Sequence, residues 1–372
     1  MIKKVKLLIV GVSGNCGGIE TFFDGLFGNG SEKYDISFLT FSDKCAFEDK
    51  YIGLGYQIYH MKSRKDLMFK FNKTVKEFFK EHNDFDYIWV NTASTSMYQF
   101  QYFGKKLTRA KIITHSHGIK AENASKIRLF INKILSKINR NKVLKNTDLY
   151  VGCGKSAALA LFGRKYKGKI IVINNGINVD LFKYSQQNRI DIRKEFGIDE
   201  EKFVIGMFGR IAPVKNPFKT IEVFQSYLKI NNNAVMLFVG SGEMTDDVKN
   251  EVARMGLSNK VIFAGFRSDV YKFYSAVDCL LMPSFFEGLP LTAIEAQANG
   301  LMCLLSDSIP HDIEITELVQ FMGLDEPSEK WAEKIEVMSS SLSNERKYYE
   351  QIIEDSIYNI EKVKELVNEV IA

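Results

Sequence analysis

Short apolar runs alternate with amphipathic helical patterns along almost the whole chain. In the first half, strands are predicted at Val5–Val10, Ile36–Phe41, Gln57–Met61, Tyr87–Asn91, Lys111–His115, Leu149–Cys153 and Lys169–Asn174. Helical patterns lie between them near 18–29, 65–82, 95–107, 125–145 and 155–163. In the second half, strands are predicted at Phe203–Phe208, Ala234–Val239, Lys260–Ala264, Cys279–Pro283 and Met302–Ser306. This alternation is typical of parallel sheets covered by helices on both faces.

The alternation occurs twice, so we predict an α/β chain with two Rossmann-like domains joined near Asn178–Arg189. The predicted boundaries are 1–178 for the first domain and 179–345 for the second, followed by a C-terminal helix over 346–372. The helical pattern itself extends over Ser343–Ile371. Pattern alone leaves two placements open for this helix, one crossing back to the first domain and one on the second domain.

Charge is distributed unevenly. Residues 1–180 contain 30 Lys/Arg and 15 Asp/Glu, whereas residues 181–372 contain 20 Lys/Arg and 30 Asp/Glu. The basic half is therefore expected to meet an anionic partner, such as a membrane surface or a phosphorylated acceptor. The five cysteines show no CxxC spacing, which fits a reducing cytoplasm. No apolar run is long enough to span a bilayer, and the basic start of the chain is interpreted as a first strand rather than a signal peptide.

The segment 126–145 combines basic residues with a helical apolar stripe and contains no acid. The stripe is formed by Ile127, Ile131, Ile134 and Ile138. Two interpretations remain open: the helix lies on an anionic membrane surface, or its stripe is buried in the core. Nucleic-acid binding is not expected, because no aromatic-basic module is present.

The strongest chemical signal is the pair Glu287 and Glu295, which follows the strand Cys279–Pro283. A strand that ends in a Gly/Pro turn and opens into a helix presents backbone N–H groups to phosphate. The two carboxylates can accept hydrogen bonds from sugar hydroxyls. This combination is suited to a nucleotide-sugar.

A second loop, after Phe203–Phe208, contains Arg210 and Lys215, which can bind phosphate oxygens. It occupies the carboxyl end of a strand, where open α/β sheets bind ligands. The loop Gly11–Glu20 follows the first strand but lacks the G-x-G-x-x-G spacing, which argues against a dinucleotide enzyme.

Histidines 115 and 117 also follow a strand, and for each of them a sugar-binding and a purely structural role stay open. Asp84-Phe85-Asp86 has the D-x-D form of some metal sites, but it precedes the strand Tyr87–Asn91 rather than following it. We interpret it as a turn.

Together these motifs resemble the retaining glycosyltransferases of family 4, which have the GT-B fold. The resemblance covers nearly the whole chain, and it is strongest to bacterial enzymes that build capsule or exopolysaccharide. It rests on four motifs in order: Gly17–Glu20, Val172–Asn178 with Phe182, Gly209-Arg210 with Lys215-Asn216, and Glu287–Glu295.

The resemblance implies two Rossmann-like domains facing each other across a cleft. It implies transfer of a hexose or N-acetylhexosamine from a nucleoside diphosphate, preferably UDP, to a hydroxyl of a glycan or lipid-linked glycan, with retention. Arg210, Lys215 and the N–H groups near Leu291 and Thr292 would stabilise the leaving diphosphate. The remaining residues that it implies at the site are Glu295 on the ribose, Glu287 on the transferred sugar, Gly288 in the same donor loop, His117 near the reactive face of the sugar, and Gly17 and Gly18 near the diphosphate or acceptor.

No metal is expected, because two cationic side chains can take its place. We expect a cytoplasmic protein, peripheral on the inner face of the cell membrane if 126–145 contacts lipid. Two other functions stay open: a non-catalytic nucleotide-sugar-binding protein, and a sugar epimerase with the GT-B fold.

Overall fold

The computed structural model describes residues 3–14, 17–117, 126–341 and 346–371. The chain forms two α/β units. Unit 1 comprises Met1–Gly176 together with Ile360–Ala372, and unit 2 comprises Ile177–Asn359. Each unit has its own parallel sheet and its own hydrophobic core.

The strands are β1 (Val5–Val12), β2 (Tyr34–Thr40), β3 (Gln57–His60), β4 (Tyr87–Thr92), β5 (Lys111–Ser116), β6 (Leu149–Gly152), β7 (Ile170–Val172), β8 (Phe203–Phe208), β9 (Ala234–Val239), β10 (Val261–Gly265), β11 (Cys279–Met282), β12 (Met302–Ser306) and β13 (Val319–Met322). The helices are α1 (Gly18–Phe27), α2 (Glu48–Gly53), α3 (Arg64–Leu67), α4 (Phe71–Glu81), α5 (Gln99–Leu107), α6 (Lys126–Lys145), α7 (Lys155–Phe162), α8 (Val179–Phe182), α9 (Gln186–Glu195), α10 (Pro217–Tyr227), α11 (Thr245–Arg254), α12 (Val270–Ala276), α13 (Leu291–Ala298), α14 (Ser328–Ser341), α15 (Lys347–Glu354) and α16 (Ile360–Val370).

In the described part of unit 1, the sheet has the order β3-β2-β1-β4-β5-β6-β7 and every neighbouring pair is parallel. Strand β1 shows why the central strands contain runs of apolar residues. Its alternate residues belong to different core clusters, Leu7 and Ile9 on one face and Leu8 and Val10 on the other. Both faces of the sheet are covered at these four positions, so each of them holds an apolar side chain.

In the described part of unit 2, the order is β10-β9-β8-β11-β12-β13, again parallel throughout. The two Rossmann-like domains are therefore confirmed. Each predicted strand is present, with ends within two residues of the prediction. The sequence analysis missed β13, an edge strand in which only Val319 is fully buried and which therefore has a weak apolar signal.

The prediction of one helix over Ser343–Ile371 is wrong. The described part of this segment forms two helices, α15 and α16, and its beginning lies outside the described residues. Between them, Ser356 Oγ donates to Ile353 O (2.7 Å) and Asn359 Nδ2 donates to Glu354 O (2.9 Å). These side chains satisfy carbonyl groups at the end of α15 and so end the helix there.

Helix α16 belongs to the core of unit 1. Its residues Ile360, Val363 and Val367 are buried in the cluster that contains β1. A Cβ atom at Gly25 of α1 would lie 2.9 Å from the side chain of Ile360, so the two helices approach closely. Tyr34 Oη donates to Asn368 Oδ1 at 2.6 Å and adds a polar contact.

Candidate functional site

In unit 2, the loops that follow β8, β9 and β11 meet at the carboxyl edge of the sheet. Gly240 has a φ of +139°, and a Cβ atom there would lie 2.0 Å from Gly209 O. A Cβ atom at Gly242 would similarly lie 2.3 Å from the carbonyl oxygen of Ile211. Glycine is therefore required at both positions, because the backbones of the two loops are in direct contact.

Lys215 and Glu287 form an ion pair within this edge. Lys215 Nζ lies 2.7 Å from Glu287 Oε1, and only 17% and 12% of the two side chains are exposed. The loops that carry them are also joined by a backbone hydrogen bond from Phe285 N to Val214 O at 2.8 Å. The cation expected at the diphosphate and the carboxylate expected at the sugar are thus brought into direct contact.

Arg210 has a different partner. Its Nε donates to Glu243 Oε2 at 2.9 Å, and 53% and 40% of the two side chains are exposed. Exposed ion pairs of this kind contribute at most about 1 kcal/mol, so a ligand can replace the carboxylate at low cost. The sequence analysis missed Glu243, although its place after Gly240-Ser241-Gly242 at the end of β9 was a signal that could have identified it.

Glu295 lies in α13, one helical turn after Leu291. It accepts a hydrogen bond of 2.5 Å from Tyr274 Oη, and the ring of Tyr274 stacks on Phe208 with centroids 4.4 Å apart. Burial raises the pKa of Glu295 to about 7. The two glutamates of the motif therefore differ in environment: one is paired with a lysine, and the other is held by a buried tyrosine.

The first turn of α13 begins after Gly288 and Pro290. The N–H of Leu291 donates to Leu289 O at 3.0 Å, so it already has a partner within the turn. Ala293 N likewise donates to Pro290 O at 2.9 Å. A ligand would have to replace the contact of Leu291 before this amide could bind phosphate.

In unit 1, Glu20 holds the glycine loop that follows β1. Its Oε1 accepts from Ser13 N (2.6 Å) and its Oε2 accepts from Gly17 N (3.1 Å), and the residue is 5% exposed. The glutamate of the Gly17–Glu20 motif thus holds the loop in place through two backbone amides. Gly18 begins α1. Asn15 and Cys16 of the predicted loop lie outside the described residues.

The two histidines after β5 are in different environments. His115 is fully buried, and its Nδ1 accepts from Trp89 Nε1 at 3.2 Å, which supports a structural role. His117 is partly exposed, and its Nε2 lies 2.8 Å from Asn91 Oδ1. Because Asn91 Nδ2 donates to Val10 O at 3.0 Å, its oxygen faces His117 and must accept. Nε2 of His117 therefore carries the proton and Nδ1 keeps a lone pair.

Burial lowers the pKa of His117 to about 3, so the ring is neutral at physiological pH. Burial and the neighbouring His117 also place the pKa of His115 well below its usual value. A neutral His117 with a lone pair on Nδ1 is suited to accept a hydrogen bond from a hydroxyl, and it is not suited to donate a proton.

The D-x-D sequence lies at the amino end of β4, as predicted. Asp84 forms an ion pair with the ammonium of Lys6, and Asp86 Oδ2 accepts from Lys6 N at 2.8 Å. Both carboxylates therefore have structural partners away from the carboxyl edge. Within the described ranges of the chain, no group of three or more His, Cys, Asp or Glu side chains could hold a metal ion.

Helix α6 exposes the apolar stripe that the sequence predicted. Ile131, Ile134 and Ile138 are 49%, 44% and 62% exposed, so the interpretation of a buried stripe is wrong for these residues. The helix is attached through its other face, where Val143 is buried and Asn139 Nδ2 donates to Ser96 O at 2.9 Å. The side chain of Ile127 lies outside the described part. Among the described helices, none has the length and apolar composition needed to cross a bilayer.

Two family models together match most of the sequence. Residues 16–181 match the model described as Glycosyltransferase Family 4, and residues 188–356 match the one described as Glycosyl transferases group 1. The chain is a glycosyltransferase of family 4. The Glu287–Glu295 motif falls in the second match, and Gly17–Glu20 and His117 fall in the first.

Two relatives with glycosyltransferase names resemble the chain over different lengths. The glycosyltransferase EpsF of Bacillus subtilis is 24% identical over 355 residues, which cover 94% of this chain and 91% of EpsF. The UDP-Gal:alpha-D-GlcNAc-diphosphoundecaprenol alpha-1,3-galactosyltransferase of Escherichia coli is 35% identical over 144 residues, 37% of each chain.

Two solved structures share the fold of this chain. Anabaena HepE in complex with UDP and glucose aligns with a TM-score of 0.77 at 18% identity, covering 98% of this chain and 99% of HepE. WaaG, a glycosyltransferase involved in lipopolysaccharide biosynthesis, aligns with a TM-score of 0.71 at 16% identity, covering 98% of this chain and 99% of WaaG.

Proposed function

We propose that this enzyme transfers a hexose or N-acetylhexosamine from a UDP-sugar, with retention, to a hydroxyl of a glycan or lipid-linked glycan. The observation that carries the proposal is the carboxyl edge of unit 2, which brings two carboxylate-paired cations together with a half-buried glutamate that accepts from a buried tyrosine. The names of the relatives support it, since one is a UDP-galactose enzyme that acts on a diphosphoundecaprenol-linked sugar and one solved structure contains UDP. A role in surface polysaccharide synthesis is part of the proposal.

Donor binding would exchange the partners of the two cations. The diphosphate takes the place of Glu243 at Arg210 and shares Lys215 with Glu287, so that each cation keeps an anionic partner. In the ligand-free protein the paired carboxylates neutralise the cations, so the loops are stable before the donor arrives. Gly288 and the amides of Leu291 and Thr292 complete the phosphate contacts at the start of α13.

The remaining side chains have separate tasks in this proposal. Glu295 binds the ribose hydroxyls, and Glu287, once its lysine is shared with phosphate, binds the transferred sugar. His117 accepts a hydrogen bond from that sugar through the lone pair on Nδ1. Gly17 and Gly18 allow close approach of the diphosphate or the acceptor.

In the transfer step, the bond between C1 of the sugar and the diphosphate oxygen breaks, and the acceptor oxygen bonds to C1 on the same face. The acceptor proton passes to the departing diphosphate. Arg210 and Lys215 stabilise the negative charge that develops on the leaving group. Because these cations can balance that charge, we propose metal independence, which predicts that transfer is unchanged by a chelator.

The decisive experiment incubates the pure protein with a panel of UDP-, GDP- and ADP-sugars and a hydroxyl acceptor. Transfer from a UDP-sugar with the α-linkage of the donor retained supports the proposal. Nucleotide-sugar binding without transfer or hydrolysis would instead identify a binding protein, and a free sugar nucleotide of altered stereochemistry would identify an epimerase. Either result would refute the proposed reaction.

We also propose that the enzyme is cytoplasmic and acts at the inner face of the cell membrane. The exposed apolar stripe of α6 carries Lys133 and Lys137 beside it, which is the composition of a helix that lies on anionic lipid. Sedimentation with anionic and neutral vesicles at low salt tests this. Equal or absent binding to both kinds of vesicle would contradict it.

A further inference from the structure

Unit 1 contains a groove of about 450 Å³ that no motif had indicated. Its volume is within the usual range for small-molecule sites. The groove has an apolar wall and a basic end. The side chains that matter here are Phe41, Met97, Ile131 and Leu135 on the wall and Arg64 and Lys65 at the basic end.

The groove lies at the ligand-binding edge of the sheet. Phe41 follows β2 directly, Arg64 and Lys65 follow β3, and Met97 follows β4. These are the carboxyl ends of three strands, which is where open α/β sheets bind their ligands. His117, which follows β5, is at the same edge. The position is therefore that of a binding site rather than of a packing defect.

The basic end is suited to phosphate. Arg64 Nη1 donates to Ser96 O at 3.0 Å, which fixes the guanidinium at the groove, and Lys65 is exposed beside it. None of the described residues that line the groove is acidic. The adjacent Asp66 accepts from Ser63 N at 3.1 Å and from Ser63 Oγ at 2.5 Å, so its charge is directed to the helix start. An arginine and a lysine together can bind a diphosphate.

The apolar wall continues onto the surface of α6. Ile131 lines the groove and is also 49% exposed, and Phe130, Ile134 and Ile138 extend the same surface with exposures of 65%, 44% and 62%. Positions 130, 131, 134 and 138 share one face of the helix. An apolar chain could therefore pass from the groove along this face without crossing a polar surface.

We propose that the groove binds the diphosphate and the first apolar units of a lipid-linked acceptor, with the chain leaving along α6. Charge complementarity and the continuous apolar surface identify this amphiphile as the occupant. The inference rests on the proposed function, because it names the acceptor class of the same reaction. It predicts that the enzyme recognises the lipid diphosphate of its acceptor as well as the terminal sugar.

The test measures binding directly, so it does not depend on transfer. The full-length protein is saturated with UDP to occupy the donor site, and then titrated by calorimetry with farnesyl diphosphate, inorganic pyrophosphate or farnesol. We expect farnesyl diphosphate to bind at least tenfold more tightly than either part alone, because the groove contacts both of its ends. Equal affinities for farnesyl diphosphate and pyrophosphate would overturn the proposal.

Two variants and a control locate the site. Lys65→Glu reverses a charge at the basic end, and Leu135→Gln places an amide on the apolar wall. Each variant should lower the affinity for farnesyl diphosphate at least tenfold. The control, Lys80→Glu, makes the same charge change at an exposed residue of α4, at the opposite edge of the sheet. It should leave the affinity for farnesyl diphosphate unchanged. Binding that is the same in all three variants would refute the site.

The two proposals can fail independently. If UDP does not bind the wild-type protein, the proposed function fails, while titration without UDP still decides whether the groove is occupied. If Lys65→Glu lowers binding to anionic phospholipid vesicles and leaves farnesyl diphosphate affinity unchanged, the groove serves the bulk membrane and the acceptor proposal is wrong.

Discussion

Lys215→Met removes the ammonium that contacts Glu287 and keeps an unbranched apolar side chain. In the native structure Nζ lies 2.7 Å from Oε1, with 17% and 12% of the two side chains exposed. Exposed ion pairs contribute up to about 1 kcal/mol, whereas loss of one partner from a fully buried pair costs roughly 3–5 kcal/mol. The pair is between these limits, so we expect the free energy of unfolding of unit 2 to fall by roughly 1–3 kcal/mol.

Arg210→Met is the matched comparison, because it removes a cation from the same edge. The side chains of Arg210 and its partner Glu243 are 53% and 40% exposed. The free energy of unfolding should therefore fall by less than about 1 kcal/mol. UDP affinity should behave differently, since both cations are proposed to bind the diphosphate. We expect each variant to lower the affinity for UDP by roughly tenfold or more, which corresponds to a loss of about 1.4 kcal/mol in binding free energy.

Scanning calorimetry of the full chain measures the effect on folding. UDP should raise the melting temperature of the unit that binds it, and so identify the transition of unit 2. For a unit of this size, the expected fall in Tm for Lys215→Met is roughly 2–12 °C.

Glu287→Leu combined with Lys215→Met should recover much of the lost stability, because no unpaired charge is left, but it should not recover UDP binding. If Lys215→Met lowers Tm no more than Arg210→Met does, the argument from burial is refuted.

Three further predictions concern single side chains. Burial raises the pKa of Glu295 from 4.5 to about 7. Between these two pH values the folded state holds a proton that the unfolded state has lost. The contribution of this carboxyl group to the free energy of unfolding therefore decreases as the pH rises from about 4.5 to 7. Glu295→Gln should flatten the dependence of Tm on pH across that interval, and an unchanged slope would contradict it. Glu20→Gln replaces one of two oxygens that accept from backbone amides and should cost unit 1 about 1–2 kcal/mol in urea unfolding, with exposed Glu32→Gln as the neutral control. Because the pKa of His117 is about 3, we expect no inflection from it in the rate of transfer between pH 5 and 8; an inflection near pH 6.5 that disappears in His117→Asn would show that the ring titrates.

The sheets could be predicted from sequence because their central strands are covered on both faces. Leu7 to Val10 alternate between two core clusters, and a run of apolar residues is the direct result. The loops at the carboxyl ends followed from the same pattern, and they contain Arg210, Lys215 and Glu287. The edge strand β13 was missed because it is only partly covered.

The partners of these residues could not be predicted in the same way. Arg210 meets Glu243 because two glycines let the loops after β8 and β9 touch, and that contact depends on backbone geometry between distant segments. The burial of the apolar stripe of α6 could not be predicted from the sequence either. Periodicity identifies an apolar face, but whether Ile134 meets the core or the solvent depends on which side of the helix the unit covers.

The last helix gives the chain an unusual order of assembly during synthesis. Unit 2 is continuous from Ile177 to Asn359, so all of its residues leave the ribosome before α16 does. Unit 1 lacks Ile360, Val363 and Val367 in its interior until all of unit 2 has been synthesised. While unit 2 is being synthesised, the amino-terminal part of unit 1 therefore exposes the apolar surface that α16 later covers. Nascent chains of this enzyme are accordingly expected to depend on chaperones that protect their first half.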